Sequence, residues 1–165
     1  MGETGGALIG GAMVDGGYCV REEATAEVMR GGWLRSGDIG SRDAEGYLHV
    51  VDRKKNIVIS GGENISCSEV ECALIEHASV EDAAAFSVPD DRLGEKLVIA
   101  VVLREGAEVS EQSLKTHLGA RLAAYKVPQC FVFSEGLPRN ASGKVLRHEL
   151  RRQLLAQVDD ALESS

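Results

Sequence analysis

The fold of this chain is decided by residues 57–103, which have the sequence IVISGGENISCSEVECALIEHASVEDAAAFSVPDDRLGEKLVIAVVL. Ser66 can cap a helix in which Glu69 completes a capping box. Four residues recur on one face of that helix at helical spacing: Val70, Ala73, Leu74 and His77. Apolar runs on either side predict strands at 57–59, 80–88 and 96–103. The stretch therefore predicts a strand, a helix and two further strands.

The residues that follow continue the same alternation of strands and helices. Ser110 can cap a second helix with Leu114, Leu118 and Leu122 at i, i+4 and i+8. A short strand is predicted at 131–133 and a basic amphipathic helix from Val145 to about Gln157. The order β, α, β, β, α, β, α predicts an α+β domain of about a hundred residues. We expect a small mixed or antiparallel sheet with flanking helices.

The residues that precede the stretch predict a β-rich segment. Residues 2–17 are dense in glycine, which favours short strands and tight turns over helix. A short helix is predicted at 22–29, where the pair Gly31-Gly32 would end it. A hairpin follows, with strands at 33–38 and 47–51 and a turn at 43–46.

A charged run, Asp52-Arg-Lys-Lys-Asn56, interrupts two apolar strand-like segments and predicts a connector between packed units. We therefore predict four parts of the chain. They are a β-rich part at 1–52, the connector at 53–56, the α+β domain at 57–157 and a polar tail at 158–165.

The composition narrows the class of function. A formal net charge of −8 over 165 residues argues against a general binder of nucleic acid or anionic membranes. The four cysteines form no CxxC pair and have no spacing with the four histidines that suits a metal, so we predict no metal site. The sequence has neither an apolar run of roughly 20 residues nor a signal peptide, which predicts a soluble, cytoplasmic protein.

Three places could carry chemistry, and each also has a purely structural interpretation. Asp38 follows Gly37 at a strand end, so its carboxylate could face a ligand or simply cap a turn. Gly61-Gly62 permits a close backbone approach, or forms a plain turn. Lys144 lies in a polar loop before a helix, where it could meet an anion or remain a surface lysine. It is not in a Walker loop, because Val145 follows Lys144 where Ser or Thr is required.

A series of motifs, taken together, resembles the acyl-adenylate-forming superfamily, which includes acyl-CoA synthetases, peptide-synthetase adenylation domains and luciferases. The resemblance spans roughly residues 5 to 155. The run IVISGGENIS followed by SEVE is most similar to acyl-CoA synthetases. The motifs are Gly32–Asp38, Gly46–Leu48, Asp52–Asn56, Ile59–Ile65, Tyr125–Pro128 and Leu137–Arg147.

The resemblance implies an AMP-forming acid–CoA ligase that works in two steps. A carboxylate first attacks the α-phosphate of ATP to give acyl-AMP and pyrophosphate, and the thiol of coenzyme A then displaces AMP. By position, Asp38 would bind the ribose hydroxyls with the help of Arg53. Lys55 would be the hinge about which a mobile C-terminal domain rotates between the steps. Lys144 would be the catalytic lysine of adenylation, and Gly61 and Gly62 would line the pantetheine tunnel.

The resemblance also has missing parts. A phosphate loop ending in lysine and an aromatic segment ending in Thr-Glu are expected upstream, and neither occurs here. Residues 1–52 would then be the tail of a large N-terminal AMP-binding domain, and the 165 residues alone would be inactive. The Mg²⁺ ligands and the pocket for the acid would lie outside this chain. The acid substrate is therefore predicted only to be a carboxylic acid, with no chain length or aromatic character specified. The oligomeric state is left open.

Two alternatives remain open at the level of the sequence. The chain could belong to an adenylation domain that loads a carrier protein instead of coenzyme A. It could also be a non-catalytic interaction domain of the same fold, although the presence of Lys144, Asp38 and the paired glycines argues against this.

Overall fold

The computed structural model describes residues 4–12, 14, 16–18 and 20–163, with side chains as far as residue 157. The chain divides into two compact units, and the division falls between Lys55 and Asn56, within the predicted connector. We describe each unit by itself.

The first unit is an antiparallel sheet with one short helix. Its central strand pairs with one strand along one edge and with two others, in succession, along the opposite edge. The elements are β1 (Thr4–Ile9), α1 (Glu22–Val28), β2 (Met29–Arg30), the central β3 (Trp33–Arg42) and β4 (Leu48–Arg53). The predicted turn at 43–46 joins β3 to β4, and the Asp43 N–H donates to the Tyr47 carbonyl oxygen.

The first unit has almost no interior of its own. Among its described residues, Gly40 and Asp52 are the buried ones. Large apolar side chains on its strands are instead exposed to solvent, and Leu48 and Val50 of β4 are 62% and 66% exposed. A sheet with this much exposed apolar surface is stabilised when another surface covers it.

The second unit is a five-stranded mixed sheet with helices on both faces. Its central strand β8 is antiparallel to β7, parallel to β9 and antiparallel to β5, to which it is joined by the single pair Ser60 and Gly94. The α+β class and the mixed sheet with flanking helices are confirmed. The elements are β5 (Ile57–Ser60), β6 (Glu63–Ser66), α2 (Cys67–Ile75), β7 (Val80–Asp90), β8 (Gly94–Leu103), α3 (Glu111–Gly119), β9 (Cys130–Phe133) and α4 (Arg147–Glu163).

Both faces of the β7–β8 ladder are buried. Successive side chains of a strand point to opposite faces, so the ladder contributes one set of side chains to each of two cores. One set packs with helices α2 and α3 through Leu74, Leu114 and Leu118. The other set packs with Leu150 of helix α4. The first set comprises Ala83, Ala85, Leu97, Ile99 and Val101, and the second Ala84, Phe86, Val98 and Ala100.

The helix caps predicted from the sequence are present. The hydroxyl oxygen of Ser66 accepts from the Glu69 N–H at 3.3 Å, and that of Ser110 accepts from the Ser113 N–H at 3.2 Å. These bonds satisfy amides that have no partner within the first turn of a helix. Helix α3 ends at Gly119, so Leu122 lies beyond it but still packs against the core.

Several predicted boundaries were wrong. Strand β3 runs to Arg42 and does not end at Asp38, so Asp38 lies inside the strand and not at its end. Helix α2 ends at Ile75, so His77, which was predicted on the face of this helix, lies beyond it.

Three further boundaries also differ from the prediction. Glu63–Ser66 forms a strand where a turn was expected to lead directly into the helix, because the glycine pair before it folds the chain back onto β5. Helix α4 begins at Arg147 and not at Val145, because Val145 forms a β-bridge with Arg139. The same helix extends to Glu163, through most of the predicted polar tail.

Truncation of the core at helix α2 should destabilise the second unit. Leu74 is fully buried between the sheet and the helices, so Leu74→Ala should lower the free energy of unfolding by about 3 kcal/mol. Its neighbour Ile75 is 43% exposed, so Ile75→Ala is the matched control. This variant should lose less than about 1 kcal/mol of unfolding free energy. Urea unfolding followed by circular dichroism measures both values, and equal losses would contradict the core described here.

A histidine pair between α2 and α3 should make stability depend on pH. Burial, together with the neighbouring His117 and Arg121, lowers the pKa of His77 below its ordinary value of 6.5. The ring of His77 accepts the Ser79 N–H at Nδ1, 3.2 Å away, and meets the ring of His117 edge-on. The folded protein therefore favours neutral His77.

Because His77 binds a proton more readily in the unfolded chain than in the folded protein, the free energy of unfolding should decrease as the pH falls through 6.5. In His77→Asn, which keeps an acceptor near the Nδ1 position, this decrease should be smaller. His148→Gln, at an exposed histidine, should leave the slope unchanged. Urea titrations at a series of pH values test the comparison, and an unaltered slope in His77→Asn would refute it.

Candidate functional site

Asp38 lies in an irregular bulge of strand β3 in the first unit. Strand β1 pairs with β3 at Leu8 and Arg35 and again at Gly6 and Ile39, so three residues of β3 lie opposite Ala7 alone. Within the bulge, the Ser36 hydroxyl donates to the Ala7 carbonyl oxygen and accepts the Asp38 N–H, both at 3.1 Å. Bulges of this kind change the direction of a side chain and are common beside functional sites.

Asp38 and Arg53 form an ion pair across strands β3 and β4. The two residues are direct partners in the ladder, and Arg53 Nε lies 3.0 Å from Asp38 Oδ1. The adjacent Asp52 is buried, and its Oδ1 accepts the Arg53 N–H at 2.7 Å. The structure thus brings together the two residues predicted to bind the nucleotide and fixes the backbone of one of them.

A pocket of about 390 Å³ opens beside Asp38 in the first unit. It combines the Asp38 carboxylate with two basic side chains, which suits a ligand with both hydroxyl and anionic groups. The sequence analysis did not identify Arg35 or Lys54 at this site. The lining residues are Gly6, Ala7, Leu8, Arg35, Gly37, Asp38, Ile39 and Lys54.

Lys55 lies in a short 3-10 helix, Lys54–Asn56, immediately before the division between the two units. Its side chain is exposed. A backbone rotation at this residue would therefore not require any repacking of its side chain, and its role as a hinge remains a proposal.

Gly61 and Gly62 form the two-residue turn of the β5–β6 hairpin. Their φ angles are +59° and +87°, and positive values at both central residues are characteristic of a type I′ turn. A Cβ on Gly61 would lie 3.3 Å from a methyl carbon of Leu93, whereas a Cβ on Gly62 would meet no atom within 4 Å. The turn requires residues that tolerate a positive φ, which favours glycine and then asparagine, and Gly62 also faces open space.

Two contacts hold this hairpin on the sheet, in addition to its single pair with β8. The Gly61 N–H donates to the Leu93 carbonyl oxygen at 2.9 Å. The carboxylate of Glu95 accepts the Ile59 N–H at 2.9 Å and the Ser87 hydroxyl at 2.8 Å. Glu95 was not identified from the sequence, although it links three strands.

Lys144 closes a compact hairpin loop organised by Asn140. The Asn140 N–H donates to the Lys144 carbonyl oxygen at 2.9 Å, and Asn140 Oδ1 accepts the Lys144 N–H at 2.8 Å. The same Oδ1 accepts from the backbone and hydroxyl of Ser142. Helix α4 begins three residues after Lys144, so this loop, and not a helix N-terminus, sets the position of the lysine.

The glycine turn and the lysine loop lie at opposite ends of the second sheet. Arg139 ties the lysine loop to Asp82, whereas Gly61 is bonded to Leu93, immediately before β8. Asp82 pairs with Val102 at one end of the β7–β8 ladder, and Asp90 pairs with Gly94 at the other. At about 3.3 Å per residue, these ends are roughly 25 Å apart. The lysine loop (Asn140–Lys144) and the glycine turn (Gly61-Gly62) are therefore attached near different ends of this ladder.

The described part of the chain contains neither a candidate metal site nor a helix that could span a membrane. Within residues 4–12, 14, 16–18 and 20–163, no group of three or more His, Cys, Asp or Glu side chains could hold a metal ion. None of the helices in these residues is long and apolar enough to cross a membrane.

The chain is similar to several CoA ligases and synthases. Residues 69–144 match the family model described as the AMP-binding enzyme C-terminal domain. Feruloyl-CoA synthase from Amycolatopsis sp is 47% identical over 152 residues, which cover 92% of this chain and 31% of that protein. 2-Succinylbenzoate–CoA ligase from Geobacillus kaustophilus is 44% identical over 150 residues, covering 91% and 31%. The chain thus spans less than a third of the length of these relatives.

Solved structures support the same grouping. An o-succinylbenzoate CoA synthetase from Bacillus subtilis, in complex with its acyl-adenylate intermediate, superposes with a TM-score of 0.83 at 40% identity, over 90% of this chain and 30% of that one. An amide bond synthetase from Marinactinospora thermotolerans superposes with a TM-score of 0.82 at 35% identity, over 93% and 31%.

Proposed function

We propose that the chain is the C-terminal part of an AMP-forming acid–CoA ligase, because residues 69–144 match the AMP-binding enzyme C-terminal domain family model and the similar proteins are CoA ligases and synthases. The observation that carries the proposal is the separation of the glycine turn and the lysine loop to opposite ends of one sheet. A domain built in this way can present one end for each of two chemical steps.

In the proposed first step, a substrate carboxylate attacks the α-phosphate of ATP, and pyrophosphate leaves with the electrons of the broken P–O bond. In the second step, the thiol of coenzyme A attacks the carbonyl carbon of acyl-AMP, and AMP leaves. Lys144 would stabilise the negative charge that develops around the α-phosphate in the first step. Gly61 and Gly62 would line the tunnel through which the pantetheine arm of coenzyme A reaches acyl-AMP in the second step.

The pocket beside Asp38 supports binding of the nucleotide. A carboxylate has two acceptor oxygens, which match the two neighbouring hydroxyls of a ribose. Arg53 holds this carboxylate in place, and Arg35 and Lys54 contribute positive charge to the same pocket. Mg²⁺, which accompanies ATP, would be held by ligands outside this chain.

The proposed partner of the first unit is a large N-terminal domain of the same enzyme. The unit exposes apolar side chains that would be covered by such a domain, and relatives are about three times as long as this chain. The proposed hinge at Lys55 would then let the second unit rotate against that larger body. The exposed apolar residues include Leu8, Trp33, Leu48, Val50 and Val51.

The acceptor of the acyl group distinguishes the proposal from its alternatives. Coenzyme A is supported by the similarity to feruloyl-CoA synthase and 2-succinylbenzoate–CoA ligase. Transfer to a carrier protein remains the second candidate, and incubation of the complete enzyme with acid, ATP and either coenzyme A or a phosphopantetheinylated carrier would separate the two. A chain that binds nucleotide but forms no acyl-AMP in the complete protein would instead be a non-catalytic domain.

The role of Asp38 predicts a selective loss of ribose recognition. In the complete enzyme, Asp38→Asn should weaken AMP binding about 10-fold or more, because a hydrogen bond to a charged group contributes about 1.5–3 kcal/mol. The 2′,3′-dideoxy analogue of AMP lacks both hydroxyls and is the control ligand. Isothermal titration calorimetry should give a large wild-type preference for AMP over this analogue and a much smaller one in Asp38→Asn. An unchanged preference would exclude Asp38 from ribose binding.

The division of labour between Lys144 and Gly62 predicts opposite effects on the half-reactions of the complete enzyme. Lys144→Ala should slow adenylation a few hundredfold, an effect comparable with the loss of a transition-state hydrogen-bond donor. Thioester formation from supplied acyl-AMP should be nearly unchanged. Gly62→Asn should slow thioester formation and spare adenylation, because asparagine tolerates a positive φ but places a side chain in the proposed pantetheine path.

Pyrophosphate exchange measures the first half-reaction, and coenzyme A consumption with presynthesised acyl-AMP measures the second. Gly32→Asn is the matched control, because Gly31 and Gly32 form the equivalent two-residue turn between β2 and β3, with positive φ at both positions. It should leave both half-reactions unchanged. Equal slowing of both by Lys144→Ala, or intact thioester formation in Gly62→Asn, would contradict the assignment.

A further inference from the structure

Arg147, the first residue of helix α4, joins the lysine loop to two other elements of the second unit. Its Nη2 donates to Glu71 Oε1 of helix α2 at 2.6 Å, and its Nε donates to the Ala85 carbonyl oxygen of strand β7 at 2.9 Å. Glu71 Oε1 also accepts the Ala85 N–H at 2.7 Å. The Glu71 carboxylate and the Arg147 guanidinium thus bind each other. Together they also bind the N–H and the carbonyl oxygen of Ala85.

This ion pair differs from the others on helix α4 in its shielding from water. The side chains of Glu71 and Arg147 are 15% and 23% exposed, whereas Arg152, which pairs with Glu149 on the same helix, is 76% exposed. Exposed pairs contribute little, but removing one partner of a shielded pair leaves a poorly solvated charge and displaces its neighbours. Arg147 is therefore held in one position far more firmly than Arg152.

Arg139 makes a second attachment at the other end of the loop. Its Nη2 lies 2.5 Å from Asp82 Oδ2 on strand β7, and its Nη1 donates to the Gly143 carbonyl oxygen at 2.6 Å. Asp82 Oδ1 also accepts the Ala83 N–H, which fixes the carboxylate on its own strand. The loop is thus fastened to β7 on both sides of Lys144, at Asp82 and at Ala85.

We propose that Arg139 and Arg147 are positioning residues for Lys144, which hold its loop against strand β7 so that the ammonium group reaches the α-phosphate in the adenylation step. This inference rests on the proposed role of Lys144. A displacement of a reacting group by about 1 Å can cost about 100-fold in rate. Neither arginine needs to contact a substrate for its loss to slow the reaction, because each acts through the position of the lysine.

The experiment uses the complete enzyme with Arg147→Met and, separately, Arg139→Met, both of which keep side-chain length and remove the charge. We expect the kcat of adenylation to fall about 10- to 100-fold in each, with thioester formation from supplied acyl-AMP within about twofold of wild type. Arg147→Lys should be intermediate, since a lysine cannot donate to Glu71 and Ala85 with the fixed fork of arginine. Arg152→Met, which breaks the exposed pair on the same helix, is the control and should leave both half-reactions unchanged.

A double variant distinguishes positioning from a general loss of structure. If Arg147 acts through Lys144, then Arg147→Met should slow adenylation no further in a Lys144→Ala background. Additive losses, or equal slowing of both half-reactions with a lowered melting temperature, would show a merely structural role and overturn the inference. Wild-type adenylation in both arginine variants would overturn it as well. If Lys144→Ala itself leaves adenylation intact, the proposed function fails, and this result is distinct from failure of the positioning alone.

Discussion

The antiparallel ladder between β7 and β8 is the constraint on which the second unit depends. Its side chains alternate between two buried faces, so α2 and α3 must cover one face and α4 the other. A shift of one residue in this register would move each set of apolar side chains to the opposite face of the sheet. Neither set would then pack against the helix that covers it in this structure. The same register fixes Asp82 at one end and Gly94 at the other, and so determines where the lysine loop and the glycine turn can be attached.

The sequence predicted those elements whose signals are local. Ser66 and Ser110 mark helix starts because a hydroxyl oxygen beside free amides is a short-range interaction. The long apolar strands β7 and β8 were predicted for a similar reason, since a strand buried on both faces is a continuous apolar run. Strand β6 was missed because Glu63–Ser66 is largely polar. The pair Gly61-Gly62 was the available signal, because two glycines between short segments favour a type I′ hairpin turn.

The attachments of the candidate site could not be predicted from local pattern. Arg147 and Glu71 are separated by 76 residues, and Arg139 and Asp82 by 57, so each pair meets only once the whole sheet has formed. Lys54 and Arg35 entered the pocket beside Asp38 for a similar reason, since strand pairing brings them there. Resemblance to a family supplied the candidate residues, whereas the structure supplies the contacts that would make them work.

The lysine loop and everything that fastens it lie within one unit. Asp82, Glu71 and Ala85 all belong to residues 56–165, as does Lys144 itself, so the second unit contains both the lysine and the residues that hold its loop. Such a unit has the properties of an exchangeable cassette. If Lys144 has the proposed role, recombination at the division near Lys55 would transfer the position of the lysine intact from one enzyme to another, while the proposed N-terminal domain would bring its own pocket for the acid. Substrate preference could then diversify by shuffling, without any need to reinvent the first step of the chemistry.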